Sequence, residues 1–135
     1  MLKDRIEHWY IDEDCNCAES MLHAISEEYG MNFDHDDMTM VSAFGGGFGS
    51  GLTCGAMAAS MAALGRMCVK TRAHATEGFM PMCGEYAERF KNELSSTECC
   101  VLKAKNFQEG RRCIKTVHQA CDCFEAFLKE MGISK

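Results

Sequence analysis

The chain has 135 residues, of which 47% are hydrophobic and 25% are charged, values typical of one soluble globular domain. Its formal net charge of −6 argues against nucleic acid as the main partner and against docking on an anionic membrane, because both require clustered lysine and arginine. The first residues lack the apolar core of a signal peptide, and no stretch reaches the roughly 18 apolar residues of a membrane span. We therefore expect a cytoplasmic protein.

The first half of the chain predicts helices on either side of a glycine-rich segment. An apolar stripe over 17–29 predicts a helix that Asn16 caps with Glu19 in a capping box and that Gly30 ends. Asp36 or Asp37 is expected to cap a short second helix. The segment 44–51, FGGGFGSG, is then predicted to form a loop in which glycines adopt positive φ and let the backbone approach other groups closely.

The helix predicted over 54–68 is apolar on nearly every face and rich in alanine, which is typical of a helix in the middle of a bundle. Further apolar stripes predict helices near 79–94, after Ser96 or Thr97, and over 110–131. There is no repeat or linker. We therefore predict one domain over residues 1–135, an all-α bundle of about five helices with a glycine-rich loop before a central apolar helix.

Ten cysteines are the most informative feature of the composition. In a reducing compartment this number favours metal binding or catalysis over a disulfide framework, although a single cysteine is often just a small buried hydrophobe. Four cysteines fall where helices are predicted to begin, and we call them the helix-start cysteines: Cys17, Cys54, Cys99 and Cys113.

A helix N-terminus presents free N–H groups and a partial positive charge, which favour thiolate over thiol. The thiolate is the form that binds metals and attacks disulfides, so four such positions predict that four helix ends converge on one sulfur site. No C-x-x-C pair occurs, so the spacing does not indicate a zinc ribbon or a thioredoxin-type pair. Spacing alone therefore leaves the chemistry of the site open.

The glycine-rich segment also allows several interpretations. Its backbone N–H groups could donate hydrogen bonds to the sulfurs of a cluster, which makes Gly45, Gly46, Gly47 and Gly49 candidate cofactor-binding residues. A nucleotide-binding loop is disfavoured, because neither a preceding strand nor a following Lys-Ser/Thr pair is present. The third interpretation is a tight loop that serves only close helix packing.

Taken together, these motifs resemble a known family. The segment Asn16-Cys17-Ala18-Glu19-Ser20, the glycine segment, Thr53-Cys54-Gly55-Ala56, and the later Cys99 and Cys113 have the order and approximate spacing of the C_GCAxxG_C_C family of redox-active proteins. The resemblance runs from about residue 15 to 125. It departs from the family pattern at Ala59, where the motif has its second glycine, and at Phe48, where methionine is usual.

The resemblance implies that the four helix-start cysteines are the family's signature residues. Split-Soret cytochromes are relatives with an iron–sulfur centre and added haem sites, so the resemblance favours an iron–sulfur cluster without haem here, for electron transfer or redox sensing. Cys15 beside Cys17, and Cys100 beside Cys99, leave open which of each pair is the ligand.

Two alternatives remain at the level of the sequence. One is a thiol–disulfide oxidoreductase in which Cys54 attacks, because its helix start and the adjacent open loop predict both a low pKa and access to solvent. The other is a structural zinc site that staples the bundle. The expected partner is a redox protein or a small electron carrier. The glycine-rich, small-residue face could pair with a second copy of the chain.

Overall fold

The structure, a computed structural model, describes residues 1–133 and is built from helices. Its six α-helices are α1 (Cys17–Tyr29), α2 (His35–Thr39), α3 (Gly55–Cys68), α4 (Phe79–Leu94), α5 (Cys99–Asn106) and α6 (Ile114–Glu130). Shorter helical turns include Leu2–Arg5, His8–Asp12 and Gly47–Gly51. Within residues 1–133 there is no β-strand, only two isolated bridges. The all-α prediction is confirmed, and the count of about five helices is too low.

The capping predicted for α1 is confirmed. The side-chain oxygen of Asn16 accepts a hydrogen bond from the Glu19 amide at 2.9 Å, and the Glu19 carboxylate accepts one from the Asn16 amide at 2.9 Å. Gly30 ends the helix with a φ of 64°, the left-handed conformation that glycine adopts without strain. The start of α1, where Cys17 lies, is therefore positioned by local interactions as well as by packing.

The core forms where α1 packs on α3 and where α4 packs on α6. The ring of Tyr86 on α4 lies 5.7 Å from that of Phe124 and 5.1 Å from that of Phe127, both on α6. Helix α3 also contacts α4 and α6, as expected of a central helix, but Ala62 on its outer face is exposed. Burying an aromatic side chain of this size contributes about 1.5–3 kcal/mol, so this α4–α6 cluster is a main source of stability.

The glycine-rich segment has the positive φ angles and close contacts predicted for its glycines, but part of it winds into a helical turn instead of a loop. Residues Gly47–Gly51 wind into a compact turn whose backbone is largely left-handed, and the turn packs against α5. Gly47 is required there: its φ is 61°, and a Cβ atom would lie 2.4 Å from the Leu52 amide nitrogen. The glycines therefore permit a tightly wound segment, in which Gly47 is buried while Gly46, Phe48, Gly49 and Ser50 are exposed.

Two hydrogen bonds join the starts of α3 and α5. The Cys54 amide donates to the Thr97 carbonyl at 2.8 Å, and the Cys99 amide donates to the Leu52 carbonyl at 2.5 Å. Two helix starts that are distant in sequence are thereby held side by side. None of the helices within residues 1–133 is both long and apolar enough to cross a membrane.

Candidate functional site

A cavity of about 250 Å³ lies among the starts of α1, α3, α5 and α6, and all four helix-start cysteines line it. Cys17 and Cys99 are the first residues of α1 and α5, whereas Cys54 and Cys113 immediately precede α3 and α6. The rest of the lining is formed by Tyr10, Asn16, Gly46, Gly55, Leu102, Lys103, Phe107, Arg112, Thr116 and Val117. Four segments far apart in sequence thus present a thiol to one space.

Close approach between α1 and α3 depends on Gly55, the first residue of α3. A Cβ atom at this position would lie 2.6 Å from the Cys17 sulfur and 2.7 Å from the Phe44 carbonyl oxygen. Contacts below 3.0 Å are not tolerated without movement, so only glycine lets the Cys17 sulfur lie this close to the α3 backbone. This is a physical reason for glycine to follow cysteine at the start of α3.

The four candidate glycines have different surroundings. Gly46 lines the cavity, and its N–H is placed to donate to the Cys17 sulfur. Gly45 instead packs on the Asn16 side chain, and Gly47 packs on Leu52 and on the Cβ atom of Cys99. A Cβ atom added at Gly49 would meet no atom of residues 1–133 within 4 Å beyond its chain neighbours, so this residue borders open space. Only Gly46 of the four predicted positions therefore reaches the cavity.

Burial dominates the electrostatics of the cavity thiols. It raises the pKa of Cys54 to about 12, against the opposing effect of hydrogen bonds from the Met57 and Ala56 amides. The pKa of Cys17 is also raised by burial, although the amides of Gly46 and Ala18 oppose the shift. The expectation that Cys54 is an accessible thiol with a low pKa is wrong, because its side chain is buried, with 4% of the residue exposed, and desolvation outweighs the helix-start donors.

The remaining cavity thiols influence one another. Burial is again the largest cause of the raised pKa of Cys113, and the neighbouring thiols of Cys99 and Cys17 raise it further. The cations Lys103 and Arg112, which also line the cavity, act in the opposite direction on Cys113. Several negative thiolates together in this space would repel each other, so a bound cationic centre is the kind of partner that would stabilise them.

The additional cysteines lie elsewhere. Neither Cys15 nor Cys100 is among the residues that line the cavity, which separates them from their neighbours Cys17 and Cys99. Cys121 and Cys123 are buried in the core on α6. All ten cysteines are free thiols. The lining of the cavity therefore includes the four helix-start cysteines and none of the other six.

Tyr10 and Arg112 were missed by sequence reasoning. The Tyr10 hydroxyl accepts a hydrogen bond from the Cys113 amide at 3.0 Å, and burial raises the pKa of this tyrosine to about 12. The Arg112 guanidinium lies 4.1 Å from the centre of the Tyr10 ring and donates to the Tyr10 carbonyl. No spacing rule links residue 10 to residue 113, so only the folded chain shows this contact.

The residues around the cavity have the chemistry of a site for a metal–sulfur group. They combine four cysteine sulfurs, N–H groups near two of those sulfurs, and apolar walls that include Leu102 and Val117. Within residues 1–133, no three His, Cys, Asp or Glu side chains lie close enough together to hold a single metal ion.

Comparison with known proteins gives a match to a family. No curated protein and no solved structure gives a significant match to the chain. A family model described as "Putative redox-active protein (C_GCAxxG_C_C)" matches residues 15–127, which include the four helix-start cysteines and the glycine segment. The chain therefore belongs to the C_GCAxxG_C_C family of redox-active proteins.

Proposed function

We propose that the protein binds an iron–sulfur cluster through Cys17, Cys54, Cys99 and Cys113 and serves in electron transfer or redox sensing. The observation that carries the proposal is that four cysteines from four separate helix starts line one cavity of about 250 Å³. When bound, such a cluster supplies reversible one-electron oxidation and reduction. The family's redox character supports the same conclusion.

The size of the cavity favours a polynuclear group over a single ion. A tetrahedral zinc ion with Zn–S bonds of about 2.3 Å draws its four sulfurs to within roughly 3.8 Å of one another. A cluster places its own iron and sulfide atoms between the cysteines and so requires a wider space. The cavity volume of about 250 Å³ supports such a group, and cysteine sulfurs suit iron–sulfur clusters.

The protein's own residues would perform three tasks. The helix-start cysteines would supply thiolates once their protons are released, at a free-energy cost that burial sets and metal binding offsets. Backbone N–H groups such as that of Gly46 would donate hydrogen bonds to sulfur and tune the reduction potential. The apolar walls would limit access of water, which also influences the potential.

Anaerobic purification, with reconstitution by iron and sulfide if needed, tests the proposal. We expect visible absorption, an EPR signal in one oxidation state, and matching amounts of iron and acid-labile sulfide. Serine replacements at Cys17, Cys54, Cys99 and Cys113 should each reduce the cluster content. Cys15→Ser and Cys100→Ser are matched controls, because these neighbours do not line the cavity, and they should retain it.

Two other outcomes would replace the proposal. Stoichiometric zinc with no redox response would show a structural metal site. A colourless, iron-free product that loses two thiols on oxidation and regains them on reduction would show thiol–disulfide chemistry. In that second case, mass spectrometry of the oxidised protein would identify the paired cysteines.

A further inference from the structure

The segment that precedes the family match contributes a side chain to the cavity. The match begins at residue 15, so Tyr10 lies outside it, in the helical turn His8–Asp12. Tyr10 is 4% exposed and lines the cavity together with the helix-start cysteines. The family's signature motif therefore does not include all of the polar groups that face this site.

The position of the Tyr10 hydroxyl is closely defined. It accepts a hydrogen bond from the Cys113 amide at 3.0 Å, and the stacked Arg112 guanidinium lies over the ring, 4.1 Å from its centre. A tyrosine hydroxyl can also donate one hydrogen bond. No hydrogen bond found within residues 1–133 uses the Tyr10 hydroxyl as a donor. Its hydrogen is therefore available to an acceptor in the cavity that Tyr10 lines.

We infer that Tyr10 donates a hydrogen bond to a sulfur atom of the group bound by the helix-start cysteines, and that this hydrogen bond raises the reduction potential of the group. This inference rests on the proposed function. Reduction adds negative charge to the bound group, and a hydrogen-bond donor to sulfur stabilises the more negative state. The Cys113 amide orients the hydroxyl by occupying one of its acceptor positions.

The test compares Tyr10→Phe with the wild-type protein in spectroelectrochemical titrations of the reconstituted, anaerobic holoprotein. Phenylalanine retains the ring beneath Arg112 and removes only the hydroxyl. We expect the midpoint potential to move to a more negative value while iron and sulfide content stay unchanged. Tyr29→Phe is the matched control, because Tyr29 lies at the end of α1 against Phe124 and should leave the potential unchanged.

A second substitution should shift the midpoint potential in the opposite direction, and it keeps the inference testable if the Tyr10→Phe protein does not fold. Incorporation of 3-fluorotyrosine at position 10 keeps the hydroxyl and makes it a stronger donor, so we expect a more positive potential. An unchanged potential in a fully loaded fluorinated protein would overturn the inference and leave the proposed function standing. If the wild-type protein binds no cluster after reconstitution, the proposed function fails and this inference fails with it.

Discussion

Replacing Gly47 by alanine tests how the glycine segment is built. Its φ of 61° is left-handed, which costs a residue with a Cβ atom about 1–2 kcal/mol. The new Cβ atom would also lie 2.4 Å from the Leu52 amide nitrogen and 2.7 Å from the Cys99 Cβ atom. Overpacking of this kind costs about 1–3 kcal/mol, so the free energy of unfolding should fall by about 2–5 kcal/mol in total.

Gly49→Ala provides the matched control within the same turn. The φ of Gly49 is 70°, but within residues 1–133 no atom beyond its chain neighbours lies within 4 Å of the added Cβ position. It should therefore show the backbone cost of about 1–2 kcal/mol without the overpacking cost. Urea unfolding of both metal-free variants, followed by circular dichroism, gives the two free energies.

The difference between the two variants is the decisive quantity. If Gly47→Ala and Gly49→Ala lowered the free energy of unfolding equally, within about 0.5 kcal/mol, close packing would not be the reason for glycine at position 47. Deviations from additivity between independent sites are of that size. The same packing argument predicts that Gly47→Ala displaces Cys99 and reduces cluster content, whereas Gly49→Ala does not. Iron and sulfide analysis of the two reconstituted variants measures this second effect.

Three further predictions follow from the site. Because burial raises the pKa of Cys54 from 9.0 to about 12, the metal-free protein should lose stability as pH rises from 9 to 12, and urea titrations should show a shallower loss in Cys54→Ser. Asn16→Ala should lower the free energy of unfolding by about 1–3 kcal/mol and lower the iron content, as urea unfolding and metal analysis would show. Its control is Asp34→Ala, because Asp34, and not Asp36 or Asp37 as predicted, caps α2 by accepting from the Asp37 amide; it should cost about 0.5–2 kcal/mol and leave the iron content unchanged. Metal binding to the metal-free protein should release protons, which a pH-stat would measure. The metal-loaded protein should lose its metal on acidification, which absorption would show.

The electrostatics of the cavity illustrate the limit of local reasoning. A helix start stabilises a thiolate by about 0.3–1 kcal/mol, and this effect can be anticipated from the sequence. Desolvation of Cys54 is larger and has the opposite sign, because neighbouring segments remove water from the sulfur. The extent of that burial depends on contacts between residues distant in sequence, so local pattern could not predict it.

The glycine segment also has one property that its sequence predicts and another that depends on packing. Its composition correctly indicates backbone conformations that other residues avoid, and several of its glycines have positive φ. Whether such a segment stays open or winds into a compact turn depends on what packs against it. Here α5 packs against it, and Gly47 becomes buried beside Cys99. Composition alone could not distinguish these two outcomes.

Local sequence by itself determined the all-α class, the cap of α1 and the position of four cysteines at helix starts, because periodicity and capping involve residues a few positions apart. The helix starts also predicted that these cysteines converge, but only the tertiary structure placed them around one cavity, left Cys15 and Cys100 out of its lining, and brought Tyr10 into it. The physical reason is that a site made from several separate segments is defined by how helices pack, and packing sums many weak contacts that no short motif records.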